Sequence, residues 1–199
     1  MGNSVVLHLI RHEKTAANLK RKYIGWTDES IVSMAGQFQI LMQPTRVFGS
    51  DLKRCRETSE LYFPMAQFHS FKKLRELNFG DFEMKTYEQL KDNEIYRQWI
   101  DSPTTTIPPN GESFEHFKER VLHQIHQIVS TAGDYCFVVH GGVIRFLLSI
   151  FSPKEESFQQ IGVQHRQIYT LQWSDWASFE GGVRCESLLV EPIMEKGNL

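Results

Sequence analysis

Two short apolar runs of this 199-residue chain each end in a histidine. Val5-Val6-Leu7-His8-Leu9-Ile10 leads into Arg11-His12-Glu13-Lys14-Thr15, and Tyr135-Cys136-Phe137-Val138-Val139 leads into His140-Gly141-Gly142-Val143-Ile144-Arg145. An arginine beside a histidine is suited to phosphate chemistry. The guanidinium offers two parallel donors to a phosphoryl group. A neutral imidazole nitrogen can attack phosphorus and form a covalent intermediate that water resolves. In His140-Gly141-Gly142 the glycines let the backbone approach a ligand closely. Amides at a helix start can meet phosphate oxygens, and a protonated His140 would stabilise charge on the transferring group.

Two further segments add to this set. Ser50-Asp51-Leu52-Lys53-Arg54-Cys55-Arg56-Glu57-Thr58 places Arg54 near the start of a helix that follows a strand, where free backbone N–H groups favour anions. Arg75-Glu76-Leu77-Asn78-Phe79-Gly80-Asp81-Phe82-Glu83 offers carboxylates in an aromatic setting. Desolvation raises a carboxyl pKa, so a buried Glu could stay protonated and give its proton to an alkoxide leaving group. Each segment alone has a plainer reading: a surface turn, a solvated helix face, an exposed acidic loop, a packed strand-to-helix turn. His116, His123 and His126 invite a metal reading, but they lack an acidic partner at recognised spacing and read as solvated helix positions.

These residues act together only if the fold gathers them. Short β-branched runs bounded by turn or helix-start signals read as buried strands, and ligands of open α/β sheets bind beyond the carboxyl ends of the strands. The sequence predicts strands over Ser4 to Ile10, Arg46 to Gly49, within Phe68 to Leu74, before His140, over Gln167 to Trp173 and over Val183 to Val190, the last at an edge. Helices are predicted over Thr15 to about Lys22, over Ser33 to Met42 with Ser33 as cap, and over Asp51 to Phe63, opened by Ser50 or Asp51 and closed before Pro64. Two more are predicted over Ser113 to Thr131, where Phe114, Phe117, Val121, Ile125 and Ile128 recur at helical spacing, and over Gly142 to Phe151. The interleaving gives an α/β fold, with a mostly parallel central sheet, helices on both faces and the active site at the carboxyl ends of the strands. One domain is expected over 1–199, with 76–112 as a covering insertion and a loose tail after Glu191.

The bulk numbers narrow the class. The chain carries 22 Lys and Arg against 24 Asp and Glu, a net charge of -2, which argues against a bulk electrostatic nucleic-acid binder. Cys55, Cys136 and Cys185 form no CxxC pair, which argues against a disulfide framework or structural zinc. The opening residues lack the pattern of a signal peptide, and no segment is long and apolar enough to span a bilayer. The expectation is a cytoplasmic protein that binds neither nucleic acid nor membrane, with a homodimer left open.

In this order and context the segments resemble the histidine phosphatase superfamily, also called phosphoglycerate mutase-like, from Leu7 to about Arg145. Arg11-His12, continued by Thr15 and Asn18, resembles its Arg-His-Gly signature. Gly25, Asp28, Ser33, Gly36 and Gln37 follow its next spacing, and Ser50, Leu52, Arg54 and Thr58 match its second-arginine segment. Glu76, Phe79, Gly80 and Glu83 match its acid segment, Gly111-Glu112-Ser113 and Arg120 the following helix entrance, and His140 to Arg145 its second-histidine motif. The resemblance implies that His12 is the nucleophile that becomes phosphohistidine. It implies that Arg11, Arg54 and His140 bind and neutralise the phosphoryl group, and that Glu76 protonates the leaving oxygen and then helps activate water. Asn18, Gly25 and Gly141 are the further phosphate-binding positions it implies. It implies no metal and no cofactor.

The chain departs from the family pattern at three places. Glu13 stands where the family usually has glycine, and Lys14 where it has glutamate. If the backbone needs a positive φ there, Glu13 is strained; if its side chain points inward, it repels phosphate unless Lys14 offsets it. The remaining alternative is that both side chains point away. Met84-Lys85 replaces a common glycine. Mutases of this family carry Glu-Arg-His-Tyr-Gly around the acid, whereas this chain has Glu76-Leu77-Asn78-Phe79-Gly80. The expected activity is therefore metal-independent hydrolysis of a small phosphorylated metabolite. The Tyr23-Ile24-Gly25-Trp26-Thr27-Asp28 loop is similar to loops in α-ribazole phosphatases, which makes α-ribazole phosphate one candidate substrate. A broad-specificity phosphomonoesterase or a sugar-phosphate phosphatase fits nearly as well. The alternatives are a non-catalytic phospho-ligand-binding protein on the same fold, motivated by Glu13-Lys14, and a phosphoglycerate mutase.

Overall fold

Alternating apolar residues commit the two histidine-terminated runs to the middle of a sheet. Strand β1 (Val5–Arg11) buries Val5, Leu7 and Leu9 on one face and Ile10 on the other. Strand β5 (Gly133–Val139) likewise sends Tyr135, Phe137 and Val139 to one face and Cys136 and Val138 to the opposite one, as the two-residue repeat of a strand requires. The two pair in parallel, with Arg11 opposite Val139. The computed structural model describes residues 3–33 and 38–195.

Three further strands carry the other chemistry. In chain order they are β3 (Arg46–Gly49), β4 (Gln67–Ser70) and β6 (Gln167–Trp173), and β7 (Ser187–Pro192) lies beyond them; a two-residue β2 (Phe38–Gln39) pairs with β8 (Met194–Glu195). The main sheet runs β4-β3-β5-β1-β6-β7. Its first four strands are parallel, and β6 and β7 are antiparallel to their neighbours. Strand β5 therefore lies between β1 and β3, so His140 emerges between the residues that follow those two strands.

Helices cover both faces. On one side α5 (Phe114–Ile128) and α6 (Gly141–Phe151) bury Phe117, Val121, Ile125, Val143, Ile144 and Leu147 against β1 and β5. On the other, α2 (Lys53–Tyr62) buries Cys55 and Tyr62 against Ile10, Val47 and Val138. The shorter helices are α1 (Ala16–Leu19), α3 (Tyr87–Leu90), α4 (Glu94–Asp101) and α7 (Trp176–Glu180). Thr15 caps α1 and Ser113 caps α5 through their side-chain oxygens, which satisfies backbone donors that a helix start leaves open. Leu90, Tyr96, Trp99 and Phe82 form a separate apolar cluster within residues 76–112.

Several expectations change. The expected helix over Ser33 to Met42 partly lies outside the described residues, at 34–37, together with Gly36 and Gln37. Its later part is strand at Phe38–Gln39. Neither Ser50 nor Asp51 opens α2; Leu52 holds the cap position without a side-chain hydrogen bond. Both polar side chains are engaged elsewhere, Ser50 with His140 and Asp51 with Arg75. The chain after Glu191 is not loose as far as it is described: Ile193 is buried, and Met194–Glu195 pairs with Phe38–Gln39. Helix α7 and the short 3-10 turns at Lys72–Leu74 and Gly80–Phe82 complete the order.

Candidate active site

The carboxyl ends of the four parallel strands deliver the predicted residues to one place. His12 follows β1, and its backbone N–H donates to Val139 O at 2.9 Å. His140 follows β5 and occupies the cap position of α6. Their ring centres are 5.1 Å apart, edge to face. Arg54 comes from the first turn of α2 after β3, and Glu76 from the loop after β4.

Hydrogen bonds fix the state of each ring. The Nδ1–H of His12 donates to Glu13 O at 2.7 Å, which leaves Nε2 as the nitrogen with the lone pair. Burial first, then the charges of Arg54 and Arg11, holds the His12 pKa well below the usual histidine range. His140 has the opposite tautomer. Arg54 Nε donates to its Nδ1 at 3.3 Å, so its Nε2–H donates to Ser50 Oγ at 2.7 Å. Burial and Arg54 also push the His140 pKa well below normal. With its Nδ1 accepting from a buried guanidinium, the ring is neutral in this structure.

Arg54 is wholly buried, and two of its four remaining N–H groups reach Thr27 O at 2.8 Å and Gly25 O at 2.6 Å. The loop supplying those carbonyls is clamped by Glu83. That carboxylate accepts from Trp26 N at 2.6 Å, from Thr27 N at 2.7 Å and from the Thr27 hydroxyl. Gly25 packs too closely for any side chain, since a Cβ there would stand 2.2 Å from Leu77 O. Its observed role is to offer a carbonyl to Arg54.

Glu76 is held by backbone. Leu77 N donates to Oε1 at 2.9 Å, and Gly142 N donates to Oε2 at 2.7 Å. A Cβ on Gly142 would lie 2.1 Å from Oε1, so glycine is required for this approach. The acid loop is itself fixed by Arg120. This buried arginine pairs with Glu112 through two bonds of 2.6 and 2.7 Å and donates to the carbonyls of Lys73, Arg75 and Glu76.

Arg11 donates from Nη1 to Val163 O at 2.9 Å, while its Nε is buried without a hydrogen-bond partner among the described residues. Asn18 accepts from Thr15 N through Oδ1, which leaves its amide NH2 as the donor end. Arg11, Asn18, Glu76, Gly141 and Gly142 border a cleft of about 400 Å3, with Phe79, Trp99, Phe114 and Phe158 along other parts of its wall. His12, Arg54 and His140 do not border it and are 3%, 0% and 1% exposed.

Glu13 is neither strained nor directed at the phosphate-binding residues. Its φ is not positive, and its carboxylate, 2% exposed, accepts from the Tyr62 hydroxyl and from Arg166 Nε at 3.0 Å. The charge is held among these partners rather than turned on the phosphate-binding residues. Met84, at the second departure, does take a positive φ of 61° and donates its N–H to Tyr23 O. Of the helix histidines, His116 pairs with Glu112 at 2.7 Å and His126 packs on Phe179. Among the described residues no three His, Cys, Asp or Glu side chains cluster as for a metal ion.

Sequence reading missed His165. Its Nδ1–H donates to His12 O at 2.7 Å, and its ring centre lies 5.8 Å from that of His12. Burial and Arg11 lower its pKa to about 4. The available signal was topological: a strand antiparallel to β1 begins where β1 ends.

A mixed sheet with two histidines, two arginines and a carboxylate beyond its strand ends defines an enzyme of the histidine phosphatase class. The model of the histidine phosphatase superfamily (branch 1) matches residues 7–179, and the chain belongs to that superfamily. The adenosylcobalamin/alpha-ribazole phosphatase of Salmonella typhimurium is 31% identical over 156 residues, 72% of this chain and 77% of the relative. The crystal structure of the alpha-ribazole phosphatase from Shigella flexneri superposes with a TM-score of 0.69 at 25% identity, covering 83% of this chain and 89% of that one. A phosphoglycerate mutase structure from Bacillus anthracis reaches 0.70 at 22% identity over 96% and 93% of the two chains. No helix among the described residues is long and apolar enough to cross a membrane.

Proposed function

We propose that this chain hydrolyses a small phosphomonoester through a phosphohistidine on His12. The observation that carries the reading is the His12 tautomer. Nδ1–H is committed to Glu13 O, and Nε2 is the unprotonated nitrogen of a ring that burial and two arginines keep neutral. Such a ring is a nucleophile at neutral pH. Arg11 and Arg54 neutralise the phosphoryl oxygens. At about 4 Å and an effective dielectric near 20, each such pair is worth roughly 4 kcal/mol before desolvation. Entry of the phosphoryl group opens the buried pocket beside Arg11 and Gly141, and Arg54, still held by its loop carbonyls, offers the phosphoryl oxygens the two Nη–H groups those carbonyls leave free. His140 takes up a proton as the dianion arrives and then donates from Nδ1. Glu76 gives a proton to the leaving oxygen and afterwards draws one from water. Asn18 and the Gly141 amide add donors.

A hydrolase is favoured over a mutase by the residues after the acid. Leu77 is buried, Asn78 Oδ1 accepts from Gly80 N, and Phe79 joins the cleft wall. None of the three presents a cation to a phosphorylated acid. Residues 76–112 cover the cleft, with Phe79, Trp99, Ile100 and Pro103 along its wall. Aromatic walls suit a planar leaving group, and α-ribazole 5'-phosphate is the leading candidate by the named relatives.

The test is a panel of phosphomonoesters containing α-ribazole 5'-phosphate, phosphoserine, sugar phosphates and 3-phosphoglycerate, assayed with EDTA present. Release of inorganic phosphate is expected. Isomerisation of 3-phosphoglycerate without phosphate release would establish the mutase, and binding without turnover a non-catalytic protein.

A further inference from the structure

Arg145 and Lys22 are the charged groups of the cleft that the proposed reaction leaves unused, and Arg145 is the one with a buried donor unpartnered among the described residues. It follows Gly141 by one turn of α6, so it shares the face that brings the glycine amides to the cleft. Its guanidinium carbon lies 5.2 Å from the centre of the Phe158 ring. Its Nε is buried and has no hydrogen-bond partner among the described residues. No carboxylate is paired with it either: among the described residues the arginine ion pairs are Arg75 with Asp51, Arg120 with Glu112, and Arg166 with Glu13 and Glu195.

Arg11 borders the same cleft with the same deficit at its Nε. Burial lowers the Arg11 pKa, Glu76 raises it and Arg145 lowers it, so the two arginines act on one another. Lys22 also borders the cleft, and Glu76 is the one acid among the lining residues. Arg11 and Arg54 answer the phosphoryl dianion. Arg145 remains as a cation with unsatisfied donor capacity, braced by an aromatic ring, on the side where the leaving group must lie.

We propose that Arg145 is a specificity-determining residue that binds a second anionic group, carried on the leaving group of the substrate. This rests on the phosphatase reading above but departs from its leading candidate, since the leaving group of α-ribazole 5'-phosphate carries no second anion. The substrate class is a phosphomonoester bearing a carboxylate or a second phosphate, each of which matches a guanidinium fork. Phe158 packs against the guanidinium and limits its rotamers, so less freedom is lost when the anion arrives.

Equilibrium titration calorimetry tests the inference on the full chain in a His12→Gln background, where no phosphoryl transfer consumes the probes. Phosphoethanolamine and phosphoserine differ by a carboxylate; glucose 6-phosphate and glucose 1,6-bisphosphate differ by a phosphate. One pair should show about tenfold tighter binding of its more anionic member, and which pair does so names the second group. Arg145→Met should erase that preference, and Arg145→Lys should restore part of it. Affinity for inorganic phosphate should stay within twofold in both. A preference that survives Arg145→Met, or no preference in either pair, overturns the proposal. So does a parallel loss of inorganic phosphate affinity, which would place Arg145 at the scissile group. Turnover by the unsubstituted chain is read separately: its absence sinks the phosphatase reading, while the binding preference still decides the role of Arg145.

Discussion

Arg54 Nε donates to His140 Nδ1 at 3.3 Å, and this contact decides which nitrogen of His140 carries the proton. The other nitrogen donates to Ser50 Oγ, whose own hydroxyl donates to Cys55 Sγ at 3.3 Å. A serine one residue beyond β3 thus holds a histidine beyond β5, through adjacent strands. Ser50→Ala removes the acceptor of a buried N–H. A stability loss of about 1–3 kcal/mol is expected, read by denaturant unfolding, together with a fall in kcat of roughly tenfold as His140 loses its orientation. Unchanged kcat would detach Ser50 from the site.

Leaving-group dependence exposes Glu76. A Cβ on Gly142 cannot fit beside its carboxylate, so Gly142→Ala displaces the acid without removing it. Alkyl phosphates need protonation of the leaving oxygen and p-nitrophenyl phosphate hardly does. Gly142→Ala and Glu76→Gln should each lower kcat/KM for an alkyl phosphate by about 100-fold, in the range of general acid catalysis, and for p-nitrophenyl phosphate far less. Equal losses on both substrates would remove the acid role.

The loop clamp predicts an effect at a distance from the cleft. Glu83 secures residues 26 and 27, and the carbonyls of Gly25 and Thr27 hold Arg54. Glu83→Gln turns charge-assisted bonds into ordinary ones and should weaken phosphate binding by about tenfold. Inhibition by inorganic phosphate measures this directly.

The buried histidines give stability a defined pH slope. His12 and His140 have pKa values held well below the ordinary 6.5, and that of His165 is lowered to about 4. Between about pH 6.5 and 4 the unfolded chain therefore binds more protons than the native one, and stability rises with pH across that window. Unfolding free energies at pH 5, 6 and 7.5 should increase in that order. The kcat/KM profile should likewise show no nucleophile titrating near 6.5. A flat stability profile, or an acid limb at 6.5 in kcat with substrate saturating, contradicts the buried neutral rings.

Legibility in the sequence followed the range of the interactions. The strands before His12 and His140 were readable because their alternation is local, and α5 because its apolar spacing is. Cap positions were not: Ser50 looks like a helix cap in sequence, yet its hydroxyl serves His140 instead. Glu13 was unreadable for the same reason. Its partners Tyr62 and Arg166 come from distant segments, and only the fold turns an acid beside the nucleophile into a closed, paired group. His165 became visible once β6 was seen to run antiparallel to β1.

The central claim is the covalent step on His12. Rapid quench of the chain with a 32P-labelled phosphomonoester, under alkaline conditions that preserve phosphohistidine, should give near-stoichiometric label mapping to His12. The label should be lost on acid treatment, unaffected by EDTA and absent from His12→Gln. Full turnover by His12→Gln, or turnover with no acid-labile label on His12, would contradict the account.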